Sequence, residues 1–201
     1  MAKVEFIFDF ASPNAYFAHK VIPEIEARTG AKFAYTPALL GGIFKLTNNK
    51  APMIAFAGIR NKMDYEQREI ARFIKRHNLK NFQFNPNFPV NTLAIMRGAV
   101  AAEAAGMLAP YADAMFHYMW EGQRKMDDPD VIRASLSEAG LDADRLLEAS
   151  QSAEIKQKLF NNTESAVERG AFGIPTFFVN GEIFFGKDRL RDVEEEIARA
   201  G

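Results

Sequence analysis

The feature that most constrains the fold of this chain is a strand–turn–strand pattern near its C-terminus. Two short runs rich in aromatic and β-branched residues, Thr176–Val179 and Glu182–Phe185, flank Asn180-Gly181. Asn-Gly between two such runs is the strongest short-range signal for a β-hairpin. Ile174-Pro175 comes just before the first run, where proline is tolerated because it opens the strand. The C-terminal part of the chain must therefore contribute a hairpin to a sheet.

A strand–helix–strand unit is predicted at the start of the chain. Residues 4–10 combine aromatic and β-branched side chains with partial alternation, as a mostly buried strand does. Ser12-Pro13 then marks a helix start, with serine as the N-cap and proline at the first helical position. The helix is expected to extend to Gly30, with a kink or break at Pro23. Residues 31–37 form a second strand, which completes a βαβ unit.

Helical patterns dominate the middle of the chain, from about Gly41 to Gly170, and strand patterns are nearly absent there. Two prolines within residues 84–89 favour a stiff connector. The predicted helices cover residues 63–77, 91 or 92 to 106, 109–120, 130–139, 144–149 and 153–169, and a closing helix covers 188–199. We therefore predict an α/β fold in which residues 1–40 and 171–201 form one domain and residues 41–170 form an inserted all-α domain.

Composition excludes several classes of function. With 48% hydrophobic residues and 18 Phe among 201, the chain can bury a substantial core. A net charge of −1 without a basic stripe argues against nucleic-acid binding. The absence of Cys excludes disulfide chemistry and thiolate metal sites, and three dispersed His residues give no metal-ligand spacing. We find no signal peptide and no membrane-spanning run, so we expect a cytoplasmic protein.

Ser12 and Ile174 are the residues most open to a functional interpretation. Ser12 stands at a strand-to-helix junction, where free backbone N–H groups and the helix dipole favour a negative charge. The alternative is a plain helix cap. The Ile174-Pro175 bond is an ordinary strand opening if trans. If cis, we expect it to leave the N–H and C=O of Ile174 unpaired, facing Ser12 and open to an added peptide strand.

Four motifs occur here in the order seen in one known family. They are residues 8–13 (FDFASP), 42–45 (GIFK) with 49–52 (NKAP), 170–175 (GAFGIP) and 185–190 (FGKDRL). On these motifs the chain resembles the 2-hydroxychromene-2-carboxylate isomerases, which are related to kappa-class glutathione transferases. The resemblance covers nearly the whole chain. It implies a thioredoxin-like domain with an all-helical insertion, a homodimer, and glutathione as cofactor or co-substrate.

The resemblance also implies roles for individual residues. Ser12 and Ala15 stand where a redox enzyme of this architecture has its two cysteines. Ser12 would hydrogen-bond the glutathione sulfur and favour its thiolate, because helix N-termini lower a thiol pKa. Ile174, next to Pro175, would pair through its backbone with the cysteinyl part of glutathione. Asn49 and Lys50 would reach glutathione from the insertion.

The same resemblance assigns Lys187, Asp188 and Arg189 to the loop that holds the γ-glutamyl end. That end carries an ammonium and a carboxylate, which Asp188 and Lys187 or Arg189 could bind as paired charges. Simpler interpretations stay open at this point. Asp188 is a good N-cap for the last helix, Arg189 could pair with Glu194 or Asp192, and Asn49 lies in a turn-prone run.

The acceptor side of the site is less well defined by the sequence. Four aromatic residues could line a pocket, although aromatics at helical spacing usually belong to the core: Phe17, Phe44, Tyr118 and Trp120. Asp9 ends the first strand near Ser12 and is either a buried carboxylate or a solvated strand end. His19 lies two helical turns from Ser12, too far for a nucleophile–base pair, so a serine hydrolase is not expected.

These observations lead to a primary functional hypothesis and two alternatives. The primary hypothesis is a glutathione-dependent cis–trans isomerase acting on an aromatic carboxylate from aromatic hydrocarbon breakdown. One alternative is a kappa-like glutathione transferase that conjugates an electrophile. The other, from a different class, is a non-catalytic module that binds a thiol or a peptide.

Overall fold

A four-stranded mixed sheet organises the fold. The structure is a computed structural model and describes residues 2–199. The strands are β1 (Val4–Phe8), β2 (Phe33–Pro37), β3 (Thr176–Val179) and β4 (Glu182–Phe185). Their order in the sheet is β2-β1-β3-β4, with β1 parallel to β2 and β3 antiparallel to both β1 and β4. This is the predicted βαβ…ββα pairing of a thioredoxin-like fold.

Ten α-helices accompany the sheet within the described residues. They are α1 (Pro13–Thr29), α2 (Leu40–Thr47), α3 (Pro52–Ala55), α4 (Lys62–Arg76), α5 (Leu93–Ala104), α6 (Leu108–Trp120), α7 (Pro129–Glu138), α8 (Ala143–Ala149), α9 (Ala153–Glu168) and α10 (Leu190–Arg199). A single 3₁₀ turn, Lys187–Arg189, leads into α10. Eight of the helices, α2 to α9, lie between β2 and β3, as the predicted all-α insertion requires.

The local structure follows the sequence signals closely, with two corrections. α1 runs unbroken from Pro13 to Thr29, so the break considered at Pro23 does not occur. β1 ends at Phe8 instead of residue 10, because the backbone turns there to deliver Ser12 to the start of α1. The Asn180-Gly181 hairpin forms as predicted, with positive φ angles of 51° and 98° at the two turn residues.

One hydrophobic core extends from the sheet into the helical insertion. The ring of Phe116 on α6 lies 5.8 Å from that of Phe8 and 4.8 Å from that of Phe10. Trp120 Nε1, at the end of the same helix, donates a hydrogen bond to the Phe10 carbonyl over 2.9 Å. The insertion therefore packs directly against the segment that carries Ser12. In residues 2–199 we find no helix long and apolar enough to cross a membrane.

Candidate functional site

Ser12 joins the two halves of the thioredoxin-like unit. It is the N-cap of α1, and its Oγ accepts a hydrogen bond from the Ala15 amide over 3.2 Å. The same hydroxyl donates to the Ile174 carbonyl oxygen, 3.1 Å away across the sheet end. The side chain is buried beside the positive end of a 17-residue helix. Ser12 is thus a helix cap that also faces the loop before β3.

The Ile174-Pro175 peptide bond is cis in the structure. The Ile174 carbonyl accepts from Ser12, so the expectation that this carbonyl is unpaired is wrong: a buried acceptor this close to a hydroxyl is satisfied by it. The Ile174 amide, in contrast, has no hydrogen-bond partner within residues 2–199. The cis-proline loop therefore carries one backbone donor without a partner in the described residues.

Hydrogen bonds gather the other predicted residues around this loop. Asn49 Nδ2 donates to the Phe172 carbonyl over 2.8 Å, which ties the turn after α2 to the cis-proline segment. The Gly186 amide donates to the Pro175 carbonyl over 2.9 Å, which brings the following 3₁₀ turn alongside. The Lys50 amide donates to Asn49 Oδ1 over 2.8 Å, so Lys50 stands next to the same contact. The predicted site residues, distant in sequence, therefore lie around one loop.

The charged residues of the 3₁₀ turn differ in their surroundings. Asp188 Oδ1 is 2.6 Å from the Lys187 ammonium, so the Asp188 carboxylate pairs with Lys187 and not with the amides of α10 as an N-cap. Arg189 lies 3.3 Å from Asp192, which was one of the two partners considered for it. Lys187 is buried, which no local sequence pattern indicates, because its burial depends on packing against Phe73 of α4.

Asp9 is a buried carboxylate that has no cationic partner among residues 2–199. Its Oδ1 accepts hydrogen bonds from the Ala11 amide at 2.9 Å and from Thr92 Oγ1 at 2.6 Å. Its Oδ2 accepts from the Leu40 amide at 2.8 Å. The Asp9 residue is only 2% exposed to solvent. Burial raises the pKa of Asp9, and the three hydrogen bonds oppose that rise.

The three donors to Asp9 explain why it stays at this position. Leu40 is the first residue of α2, whose N-cap offers no side-chain oxygen. Thr92 is the N-cap of α5, yet its hydroxyl turns to Asp9 and not to its own helix. The turn before α1 and the N-termini of α2 and α5 thus converge on one carboxylate, which lies at the positive end of α2. Asp9 therefore fixes the turn that precedes Ser12 relative to two helices of the insertion, α2 and α5.

A cavity of about 400 Å³ opens next to Asp9 and Ala11. Its volume falls within the range of small-molecule sites. Its walls are mainly apolar and come from the start of α2, the loop before α5 and the start of α5: Leu39, Leu40, Gly41, Gly42, Phe44, Phe88, Pro89, Val90, Asn91, Thr92 and Leu93. The loop contains a second cis peptide, Phe88-Pro89. The sequence had marked this loop only as a stiff connector.

Of the four aromatic residues considered for an acceptor pocket, only Phe44 lines this cavity. Phe17, Tyr118 and Trp120 are buried in the core, the more ordinary of the two interpretations.

A separate cleft of about 360 Å³ between α1, β2 and α6 contains His19, whose ring nitrogens contact Tyr35 Oη at 2.9 Å and Asp113 Oδ1 at 3.0 Å. His19 therefore has no part in the arrangement around Ser12.

Comparison with known proteins bears on the fold and the family of the chain. The sequence model of the family described as "DSBA-like thioredoxin domain" matches residues 3–198. A solved structure of a selenomethionine 2-hydroxychromene-2-carboxylate isomerase superposes with a TM-score of 0.81 at 24% identity, over 98% of this chain and 95% of that chain. This likeness supports the fold.

Two curated relatives are similar over almost their whole length. A 2-hydroxychromene-2-carboxylate isomerase of Sphingobium xenophagum is 28% identical, with 95% of each chain aligned. The human glutathione S-transferase kappa 1 is 26% identical over 93% of this chain and 87% of that protein. The chain is therefore homologous to both isomerases and kappa-class transferases.

Proposed function

The chain belongs to the DSBA-like thioredoxin domain family, and we propose that it is a glutathione-dependent isomerase of a 2-hydroxychromene-2-carboxylate-like aromatic acid. The observation that carries the proposal is the Ser12 hydroxyl at the N-terminus of α1, which donates to the Ile174 carbonyl in the cis-proline loop, while the amide of Ile174 has no partner within residues 2–199. The chain contains no Cys, so a thiol at this position must come from another molecule. The isomerase relatives make this activity the leading candidate.

The residues around Ser12 suit glutathione in three respects. The free Ile174 amide can donate to a carbonyl of the cysteinyl unit, in the manner of an added strand. The Asp188 side chain is 60% exposed and keeps one oxygen for the ammonium of the γ-glutamyl end. Asn49, Lys50 and Arg189 surround the same loop and can meet the carboxylates.

Ser12 would act on the sulfur through its hydroxyl hydrogen. That hydrogen now points to the Ile174 carbonyl and would rotate to a bound sulfur, while the capping bond from Ala15 stays in place. The α1 dipole adds to the same effect, so the thiolate form is favoured. When bound, glutathione supplies a nucleophilic thiolate that can add to one carbon of a conjugated double bond, which turns that bond into a single bond able to rotate, and can then leave again.

The cavity beside Asp9 and Ala11 is the proposed seat of the acceptor. Its apolar walls match an aromatic ring system, and it adjoins the turn that carries Ser12. The rigid Asp9 contacts with Leu40 and Thr92 hold these walls at a fixed distance from Ser12. Positioning of two reactants in this way contributes strongly to catalysis. From the resemblance we also propose a homodimer that works in the cytoplasm in aromatic hydrocarbon catabolism.

A kappa-like transferase is the second candidate, favoured by the similarity to the human kappa-class protein. The two functions differ in the fate of glutathione after addition. We therefore propose to incubate the protein with 2-hydroxychromene-2-carboxylate and a tenth of an equivalent of glutathione. Isomerisation of the substrate to equilibrium, far beyond one conversion per glutathione and with free glutathione recovered, supports the isomerase. Consumption of one glutathione per product supports the transferase, and no turnover above the protein-free rate contradicts both.

A further inference from the structure

Lys187 has an unusual environment for a lysine. Its side chain is 4% exposed, and its ammonium lies 2.6 Å from Asp188 Oδ1 and 4.9 Å above the ring of Phe73. Lysine is rarely this buried unless it is paired. In residues 2–199, Asp188 is the one carboxylate within ion-pair distance of it. The ammonium therefore points into the protein, between the 3₁₀ turn and α4, and not outward toward a ligand.

We propose that Lys187 is a positioning residue that orients the Asp188 carboxylate toward the γ-glutamyl ammonium of glutathione. This inference rests on the proposed function. A carboxylate has two oxygens, and Lys187 occupies Oδ1. With that oxygen anchored to a buried cation and the side chain 60% exposed, Oδ2 is the oxygen that remains for a ligand. The turn itself is fixed beside the cis-proline loop by the Gly186 amide, which donates to the Pro175 carbonyl.

The structure also defines the opposite possibility. A cation next to Asp188 neutralises its charge and could weaken the attraction for a second ammonium. Two features favour positioning. The Asp188 side chain is 60% exposed, so the high dielectric of water weakens the repulsion between Lys187 and a ligand ammonium, whereas a fixed orientation retains its effect. Lys187 is held by the Phe73 ring on its other side, so it does not follow a ligand outward. Positioning and competition predict opposite changes in affinity.

The test compares glutathione with cysteinylglycine, which lacks the γ-glutamyl group. Calorimetric dissociation constants are measured for the wild type, Lys187→Met and Asp188→Asn. We expect the wild type to prefer glutathione, and each variant to lose about tenfold of that preference with cysteinylglycine binding unchanged. The double variant should lose no more than Asp188→Asn, because Lys187 acts through Asp188. Lys187→Arg should retain most of the preference.

Lys75→Met is the matched control, since Lys75 is an exposed lysine on α4, the helix that carries Phe73. Circular dichroism melting establishes that each variant is folded, and Lys187→Gln replaces Lys187→Met if the latter is not. Unchanged or tighter glutathione binding by the Lys187 variant overturns the inference and leaves the proposed function intact. No glutathione binding by the wild type overturns both.

Discussion

Ser12 makes the same helix-capping hydrogen bond that Ser152 makes at the start of α9: each Oγ accepts an amide three residues on, over 3.2 Å. What distinguishes Ser12 is its second contact, to the Ile174 carbonyl. The cap could be predicted from Ser-Pro alone. The second contact could not, because it joins residues 162 positions apart and depends on the pairing of β1 with β3.

Lys187 is a second residue whose contacts could not be predicted from the sequence. The resemblance assigns Asp188 and Lys187 to the same loop, but the direction of the Lys187 side chain is set by Phe73, in another part of the chain. For Asp9, the sequence alone does not decide between a buried and a solvated position. Its burial depends on Leu40 and Thr92, whose amide and hydroxyl no local pattern assigns to it.

Asp9 should make stability depend on pH. Burial raises its pKa in the folded protein above the value of about 3.9 expected in the unfolded chain. The folded state then holds the proton more tightly, so the Asp9 contribution to the free energy of unfolding is greatest below about pH 4 and is lost as the pH rises through the folded pKa. Relative to Asp9→Asn, the wild type should lose up to about 1.4 kcal/mol per pH unit in that window.

Urea unfolding from pH 4 to pH 8 measures this difference, and its slope is independent of any constant destabilisation by the substitution. Asp64→Asn removes an exposed carboxylate and controls for net charge. A wild-type stability that rises with pH relative to Asp9→Asn would contradict the assignment. It would mean that the hydrogen bonds from Ala11, Leu40 and Thr92 outweigh the cost of burial.

At the scale of elements, helix contacts depend on small residues that sequence patterns do not distinguish. Gly98 on α5 faces Tyr111 on α6, and a methyl group there would lie 2.8 Å from Tyr111 Cζ. Tyr111 Oη also donates to the Ile95 carbonyl over 2.8 Å, so the ring cannot move freely. The Ala-rich character of α5 predicted a helix but not this close approach.

Gly98→Ala should therefore destabilise the protein by about 1–3 kcal/mol through overpacking. Helix propensity alone predicts the reverse, a gain of about 0.8–1.0 kcal/mol. Gly41→Ala is the matched control, because Gly41 lies in α2 and a methyl group there meets no atom within 4 Å. The melting temperatures of both variants, measured by thermal unfolding, distinguish overpacking from a gain in helix propensity. A melting temperature of Gly98→Ala at or above the wild-type value would show that α5 and α6 pack differently.

Other elements show where sequence patterns were sufficient. Turn chemistry at Asn180-Gly181 and the N-cap at Ser12 fixed the positions of the hairpin and of α1. The predicted effect of Pro23 is an exception: Pro23 does not break α1, because tertiary packing of Val21, Ile22 and Ile25 keeps the helix continuous. No separate helix is predicted for α2 or α3, because two glycines, Gly41 and Gly42, lower the helix propensity of the 8-residue α2, and the 4-residue α3 is a single turn.

For the whole molecule, the shared core bears on the proposed division into residues 1–40 plus 171–201 and residues 41–170. Phe8 and Phe10 from the first unit pack on Phe116 from the second, and Trp120 bonds to the Phe10 carbonyl. Segments joined in this way should unfold together. The sequence shows where the helical insertion begins and ends, but it does not show which of its faces meets the sheet.

We accordingly expect one unfolding transition in urea. Trp120, the single tryptophan, reports on the junction by fluorescence, and far-UV circular dichroism reports mainly on the insertion helices. The two curves should coincide. Phe116→Ala should shift both together, with a cost of about 3–5 kcal/mol. Two separated transitions, or a shift of only one curve in Phe116→Ala, would contradict a shared core.

The central claim is that Ser12 and the N-terminus of α1 stabilise a thiolate supplied by glutathione. The most direct test is a pH titration of thiolate absorbance near 240 nm with glutathione bound to the wild type, Ser12→Ala and Ser152→Ala. Ser152→Ala removes an equivalent cap worth about 1 kcal/mol, far from the site in the sequence. We predict a thiol pKa at least about one unit below the free value of about 8.5 in the wild type and Ser152→Ala, and a return toward 8.5 in Ser12→Ala. Equal pKa values in the wild type and Ser12→Ala, or no bound glutathione at millimolar concentration, would contradict it.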